Sequence, residues 1–154
     1  MSLFFTELLS NQIFLSAIAG WASAQIFKTI INFCFTKTFD PERLFGSGGM
    51  PSSHSATVCA LATATAVHYS ADSFEFAIAA IVAIIVMYDA RGVRRETGTQ
   101  AVVLNHFIEY FSKVDEHKFD FGTEKLKELV GHTPLQVAAG AVLGVVVACL
   151  VTLT

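Results

Sequence analysis

Four long apolar segments constrain this chain more than any other feature of its sequence. They cover residues 13–35, 53–69, 74–88 and 134–153, with polar stretches between them. A helix needs about 20 largely apolar residues to cross the hydrocarbon core of a bilayer. Because 53% of the 154 residues are hydrophobic and only 15% are charged, a soluble fold of this size would lack polar surface. The sequence therefore predicts a single all-α membrane domain, a polytopic helical bundle with about four transmembrane helices.

The second segment, residues 53–69, is rich in Ala, Ser and Thr and is too weakly hydrophobic to face lipid on all sides. Its small residues recur at helical spacing, and Gly140 and Gly144 form a G-x-x-x-G pattern in the fourth segment. Small residues let neighbouring helices approach closely, so we expect both segments to pack inside the bundle. Asp72 and Ser73 offer an N-cap for the third segment, which makes segments two and three a tight helical hairpin.

Residues 90–132 form the one long polar stretch, between the third and fourth segments. Leu104, Phe107 and Phe111 repeat there at helical spacing and Thr99 is a suitable N-cap, so we predict an amphipathic helical insertion. Such helices either lie on the membrane or over the functional site, or pack on each other as a small soluble cap. The sequence supports the two arrangements equally.

The basic residues are distributed very unevenly along the chain. All ten Lys and Arg residues fall in two windows: residues 28–43, from the second half of segment one towards segment two, and residues 91–127, between segments three and four. With four spans, both windows lie on the same side of the membrane. Because basic loops stay in the cytoplasm, we predict that both termini lie outside and both basic loops inside. Phosphate binding is a competing reason for some of these charges.

A polar octapeptide, Gly48 to Ser55, precedes the second segment. Glycines let the backbone approach a ligand closely, and we expect Pro51 to begin the helix, so that free N–H groups of its first turn point at the loop. Ser52 and Ser53 add hydroxyl donors, and His54 can give or take a proton. The pattern indicates an anion site. The competing interpretation is a serine-capped helix whose histidine is a packing residue.

Two further polar groups belong to the same predicted face of the membrane. Asp89, Arg91 and Arg94 follow the third segment, and arginine binds phosphate through a planar, permanently charged fork. His132 and Gln136 stand at the start of the fourth segment. The alternatives are a basic cytoplasmic anchor and an interfacial histidine. An anchor does not explain Asp89, however, and two histidines at helix starts on one face favour a site.

These groups resemble the motifs of the type 2 phosphatidic acid phosphatase superfamily, which includes the vanadium-dependent haloperoxidases, and most closely its divergent bacterial and plastid branch. The run Pro-Ser-Ser-His in the octapeptide resembles the P-S-G-H motif. Ala90 and Arg91 resemble the S-R half of the third motif, and His132 begins a stretch similar to its H-x-P-x-D-V half. Lys28 and Arg43 are the candidates for the Lys and Arg of the first motif.

The chain departs from this pattern at several positions. Ser53 replaces the glycine of P-S-G-H, no Pro follows Arg43, and a long insertion separates Arg91 from His132. Gln136 stands where the superfamily has an Asp that orients the histidine. A neutral amide can orient an imidazole but cannot stabilise a developing imidazolium as a carboxylate does. Asp89 taking over that role from the neighbouring helix is a hypothesis.

The resemblance implies a mechanism without a metal or cofactor. His132 attacks phosphorus to form a phosphohistidine, His54 protonates the leaving oxygen, and Gln136 or Asp89 supports the nucleophile. The groups expected to bind the phosphate are Lys28, Arg43, Ser52, Ser53, Arg91 and Arg94. A weaker alternative is a Mg²⁺ site made of Asp40, Asp89 and Glu96.

The membrane setting and the resemblance together imply a substrate. We expect a phosphatase in a bacterial cell membrane that acts on a lipid phosphate or an isoprenyl (di)phosphate, with the bilayer as its surroundings and no nucleic-acid partner. The site would face the cytoplasm if the charge distribution sets the orientation. The alternative is a degenerate protein that binds phosphate or phospholipid without turnover, in transport or as a scaffold, and Gln136 is the main support for it.

Overall fold

The computed structural model describes residues 2–37, 49–114, 126 and 131–153. Within these residues the chain is helical and contains no strand. The helices are α1 Ser2–Ser10, α2 Gln12–Thr36, α3 Ser53–Tyr69, α4 Phe74–Arg91, α5 Val93–Val114 and α6 Pro134–Thr152. The prediction of an all-α membrane bundle is confirmed.

The first helix has no counterpart among the four predicted segments. Asn11 separates α1 from α2, because its side-chain oxygen accepts the backbone N–H of Phe14 at 3.0 Å and so caps the start of α2. Asparagine is a favoured N-cap residue because it satisfies a donor that the helix itself leaves unpaired. The side chains of Leu3, Phe4 and Phe5 are exposed, which suits contact with lipid.

Three stretches in the described part of the chain are long and apolar enough to cross a membrane: α2, Phe74–Phe111, which includes α4, and α6. The shorter α3, with 17 residues, is not among them. It lies at the centre of the bundle and packs against α2, α4 and α6. Its Ala56, Ala60 and Ala64 are completely buried. The four predicted spans thus correspond to three apolar helices around one weakly apolar helix, which the others cover.

Glycines set the close packing of α3 against its neighbours. A β-carbon added at Gly140 or Gly144 of α6 would overlap the backbone carbonyl of Ser52 or Ala56, respectively. On the other side of α3, a β-carbon at Gly20 of α2 would lie only 2.9 Å from the carbonyl oxygen of Ala56. The contacts advance together along α3 and α6, so these two helices run parallel and begin at the same end of the bundle.

The polar insertion begins with one helix that follows α4 after a single residue, Gly92. The predicted N-cap at Thr99 is wrong, because the helix is already under way at that point and the hydroxyl of Thr99 donates to the carbonyl of Arg95 at 3.3 Å. One face of α5 is buried, including Ala101 and Asn105, and the side chain of Asn105 bonds both backbone groups of Leu126. The apolar residues predicted to repeat on this helix, Leu104, Phe107 and Phe111, are exposed.

The exposure of these side chains bears on the two arrangements left open by the sequence. A helix with one apolar and one polar face lies well in a membrane interface, with the apolar side chains among the lipids. We therefore favour the arrangement in which α5 lies against the membrane. Apart from Leu126, residues 115–130 of the insertion fall outside the described residues.

Candidate functional site

Four helices bring their polar ends together at one end of the bundle. α3 and α6 begin there, whereas α2 and α4 run towards it. Two backbone hydrogen bonds join the parts: the N–H of Ser52 donates to the carbonyl of Gln136, and the N–H of His132 donates to the carbonyl of Ala90, both at 3.0 Å. Because Ala90 lies between Asp89 and Arg91, the three polar regions picked out in the sequence lie close together.

The start of α3 coincides with the start of the second apolar segment, residue 53, but lies two residues after Pro51, which was expected to begin the helix. The helix begins at Ser53 with Ser52 as its N-cap, so Pro51 lies before the helix and does not begin it. The cause is the extended backbone of Ser52, at φ −68° and ψ 116°, with its hydroxyl oxygen 3.4 Å from the N–H of Ser55. The N–H groups of Ser53 and His54 precede the first acceptor that the helix can provide, which leaves them directed towards the loop.

The serines at this helix start are deeply buried. Ser52 and Ser55 are 0% exposed and Ser53 is 5% exposed. The hydroxyl of Ser55 has no hydrogen-bond partner within the described part of the chain. A buried hydroxyl without a partner is costly, because the group has lost water and gained nothing in return. These groups form a polar lining at the positive end of the α3 dipole, which favours an anion.

His54 and His132 face each other across this end of the bundle. Their ring centroids are 6.0 Å apart and the ring planes meet at 63°. His132 is only 3% exposed, whereas His54 is half-buried on the first turn of α3. The two histidines picked out in the sequence therefore lie next to each other, at the end of the bundle where α3 and α6 begin.

Gln136 determines which nitrogen of the neutral His132 ring carries the proton. Its side-chain oxygen accepts the backbone N–H of Thr133 at 3.0 Å and lies 3.2 Å from Nδ1 of His132. The backbone group can only donate, so the atom facing it is the amide oxygen, and Nδ1 must then donate as well. The lone pair of the ring is therefore on Nε2. Thr133 and Gln136 also form the capping box of α6. The N–H of Gln136 donates to the Thr133 hydroxyl at 3.3 Å, while the Gln136 side chain accepts the Thr133 N–H.

Lys28 brings a positive charge to the site from α2. It is 2% exposed, and its ammonium donates to the side-chain oxygen of Gln25 at 2.7 Å. The loop before α3 passes directly over its aliphatic part: a β-carbon at Gly49 would lie 3.3 Å from Cγ of Lys28. Gly49 has φ of +79°, a conformation that residues with side chains rarely adopt. An ionisable group buried at membrane depth is expensive and points to function.

The acidic and guanidinium groups are less completely described. Asp89 is half-buried near the end of α4, and Arg91, its last residue, is exposed. Arg94 lies on the first turn of α5, and its side chain is outside the described part. Arg43, and the Asp40 of the alternative magnesium site, also fall outside the described residues. No group of three or more His, Cys, Asp or Glu side chains meets within the ranges that the structure covers.

Two contributors to the site were not singled out from the sequence. Gln25 precedes Lys28 by three residues, which places both side chains on one face of α2, so helical spacing alone contained the signal. Thr133 has the S/T-x-x-E/Q spacing of a capping box with Gln136, a pattern that is also visible in the sequence. Both residues act through a neighbour that was already a candidate.

Comparison with known proteins agrees with the motifs. Residues 9–147 match the Divergent PAP2 family. The chain is also 42% identical over 146 residues to the uncharacterized membrane protein YuiD of Bacillus subtilis, an alignment that covers 90% of this chain and 92% of that relative. No solved structure matches the chain significantly.

Proposed function

Because this chain belongs to the Divergent PAP2 family, we propose that it is a membrane phosphatase that hydrolyses a lipid phosphate or an isoprenyl (di)phosphate. One observation carries the proposal: His54 and His132 face each other at 6.0 Å between ring centroids, with Gln136 fixing the proton of His132 on Nδ1. This arrangement leaves Nε2 of His132 as a nucleophile and His54 as a proton donor at the same end of the bundle.

The first step is attack on phosphorus. The Nε2 lone pair of His132 forms a P–N bond while the bond from phosphorus to the ester oxygen breaks, and His54 gives its proton to that oxygen as the alcohol leaves. In the second step, His54 takes a proton from water as the water oxygen attacks phosphorus. The P–N bond then breaks, which returns both electrons to Nε2 and releases inorganic phosphate.

Positive groups stabilise the charge on the three oxygens that do not leave. Lys28 contributes a buried ammonium, and the N–H groups of Ser53 and His54 contribute the positive end of the α3 dipole. Arg91 has its guanidinium on the exposed side, where it is suited to meet the phosphate of an incoming substrate. Arg43 and Arg94 remain candidates for the same task, and Asp89 remains a candidate for orienting one of these cations.

The phosphohydrolase reaction needs a test in which only the two histidines differ. Purified protein in lipid vesicles should release phosphate from at least one member of a panel of phosphatidic acid, phosphatidylglycerol phosphate and isoprenyl diphosphates. We expect His132→Ala to lower this rate by about a thousandfold, because it removes the nucleophile. His54→Ala should lower it strongly as well, and less so for substrates with a good leaving group, which need no proton.

His68→Ala is a matched control, since His68 lies exposed at the far end of the same helix as His54. It should retain the wild-type rate. Equal rates for the wild type and both site variants would disprove the histidine mechanism, whatever substrate is used.

The orientation of the site is part of the proposal. The basic windows indicate that the site end of the bundle faces the cytoplasm. Single cysteines in place of Ser2 and Lys118, in a background without Cys34, Cys59 and Cys149, test this with a membrane-impermeant maleimide on intact cells. Labelling at position 2 alone is the expected result, and labelling at position 118 from outside would reverse the orientation.

A protein that binds the phosphate without turnover is the second candidate. The neutral Gln136 favours it, because an amide gives no charge stabilisation to a phosphorylated or protonated imidazole. Orthovanadate mimics the five-coordinate phosphorus of the reaction. Tight vanadate binding by a wild-type protein that releases no phosphate from any of these substrates would decide for the binding protein.

A further inference from the structure

The buried pair Gln25 and Lys28 lies on α2, one turn apart, where Gly49 packs against the side chain of Lys28. Both side chains are almost inaccessible, at 5% and 2% exposure, and the ammonium donates to the amide oxygen of Gln25 at 2.7 Å. We infer that Gln25 is a positioning residue, which holds the Lys28 ammonium at the site for an anionic phosphoryl group without neutralising it. This inference rests on the proposed function, since it concerns the phosphate-binding role of Lys28.

Lysine needs such a partner because its side chain is long and flexible. Ordering a buried lysine costs it the rotamer freedom that it has in the unfolded chain. Contacts with Gly49 and Gln25 restrict it. A β-carbon at Gly49 would lie 3.3 Å from Cγ and 3.4 Å from Cδ of Lys28, and the side-chain oxygen of Gln25 accepts a hydrogen bond from the ammonium. An ammonium has three donors, so the bond to Gln25 sets the direction in which the others point.

The chemical nature of the partner matters as much as its geometry. Gln25 offers the same acceptor oxygen as a glutamate but carries no charge. A carboxylate at 2.7 Å would compensate the ammonium and compete with a phosphate for it, whereas an amide orients the ammonium and leaves its charge intact.

The test uses orthovanadate as the probe and isothermal titration of the purified protein in detergent as the measurement. Gln25→Met keeps the volume and removes the acceptor, and we expect it to weaken vanadate binding about tenfold, the loss typical of one hydrogen bond to a charged group. Gln25→Glu keeps the acceptor and adds a charge. We expect this variant to lose at least as much vanadate affinity as Gln25→Met. It provides a second test if the methionine variant does not fold.

A double-mutant cycle separates positioning from a general structural effect. In a Lys28→Met background, adding Gln25→Met should change vanadate affinity less than twofold, because the partner it serves is gone. Thr29→Val is the matched control: its hydroxyl donates to the backbone carbonyl of Gln25 at 2.9 Å, within the same helix. We expect this variant to bind vanadate within twofold of the wild type.

The outcomes distinguish the two proposals. If the wild type binds vanadate and the two glutamine variants bind it equally well, or if the effects of Gln25→Met and Lys28→Met are additive, then the positioning role is refuted while the phosphatase proposal stands. If the wild type neither binds vanadate nor releases phosphate from any substrate, both proposals fail together.

Discussion

The polar groups at the two ends of α3 find their hydrogen-bond partners in opposite ways. At its start, Ser52 and Ser55 are fully buried, and the N–H of Ser52 reaches across to the carbonyl of Gln136 in another helix. At its end, His68 and Tyr69 are exposed, and Ser73 closes the turn into α4: its hydroxyl donates to the carbonyl of Ser70 at 2.8 Å and accepts the N–H of Phe76.

This difference separates function from folding within one helix. The end of α3 at Tyr69, the far end, leads into a local turn, so its polar groups bond to neighbours within three residues in sequence. The start of α3 at Ser52, the near end, depends on α2 and α6 for its partners. The polar atoms of the near end exceed what a simple helix cap needs. A substitution near Ser52 should therefore affect both stability and phosphate chemistry, whereas one near Ser73 should affect stability alone.

The largest effect is expected at Gly140, which supports the near end from α6. Gly140→Ala places a methyl group on the carbonyl of Ser52, so the two helices must separate or α3 must shift. We expect a loss of about 3 kcal/mol in stability and nearly all phosphate release, measured by thermal unfolding in detergent and by the vesicle assay. Ala138→Val, two residues away on an exposed position of α6, is the control. Wild-type unfolding of Gly140→Ala would contradict the close packing.

The next effect concerns Gln136, which joins the near end to His132. Gln136→Leu removes the acceptor of the Nδ1 proton, and we expect phosphate release to fall at least about tenfold. Gln136→Glu keeps that acceptor and adds a negative charge that stabilises the imidazolium, so its rate should exceed that of the wild type. Initial rates on one lipid phosphate measure both. A glutamate variant slower than the leucine variant would mean that Gln136 does not serve His132.

The two serine caps give a matched pair of smaller changes. Ser52→Ala and Ser73→Ala each remove one N-cap hydroxyl, which costs about 1 kcal/mol of stability. Only Ser52→Ala should also slow phosphate release, because its helix start lines the site. Comparing the two variants by thermal unfolding and by rate tests the contrast directly. Equal rates in both would show that the near end has no more than a structural role.

The smallest effect is expected at Asp72 in the turn between α3 and α4. A hydrogen bond from the Ser70 hydroxyl, and a second from its own backbone N–H, hold the pKa of this carboxyl below its usual value. A lowered pKa stabilises the folded state above the unfolded pKa of about 3.9, and the gain is lost as the pH falls through the folded value. Asp72→Asn should therefore unfold slightly earlier than the wild type at pH near 7.

The difference between Asp72→Asn and the wild type should shrink as the pH falls through the lowered pKa of Asp72, because the carboxyl then becomes protonated in the folded state as well. Phosphate release at neutral pH should be unchanged. A gap in unfolding temperature that widens at acid pH would contradict the hydrogen bonds assigned to this turn.

Sequence periodicity and composition anticipated the helices of the bundle well. The apolar runs that end at polar residues correspond closely to α2, α3, α4 and α6, because burial and lipid contact impose the same pattern over whole turns. The grouping of His54, His132 and Arg91 at one end followed from the alternating direction of successive helices. The weak hydrophobicity of residues 53–69 correctly indicated a helix covered by others.

The details that the sequence did not predict depend on single hydrogen bonds. Thr99 has the chemistry of an N-cap, but α5 had already begun beyond Gly92, and a propensity does not say which of several candidates is used. Pro51 suits a helix start, yet Ser52 captures the cap. Which nitrogen of His132 carries the proton is visible only in the structure, since the position of the Thr133 N–H identifies the amide oxygen of Gln136 that faces the ring.

The central position of α3 has a consequence for how the protein reaches its membrane. A helix of 17 residues rich in Ala, Ser and Thr gains little free energy when it moves by itself from water into lipid. We therefore expect the translocon to insert α3 into the membrane inefficiently as a separate segment. Its tight turn into the strongly apolar α4 allows the two to enter as a hairpin. The carbonyl that receives the Ser52 N–H belongs to α6, which is synthesised after α1 to α5. The candidate site is then complete only when α6 has been inserted.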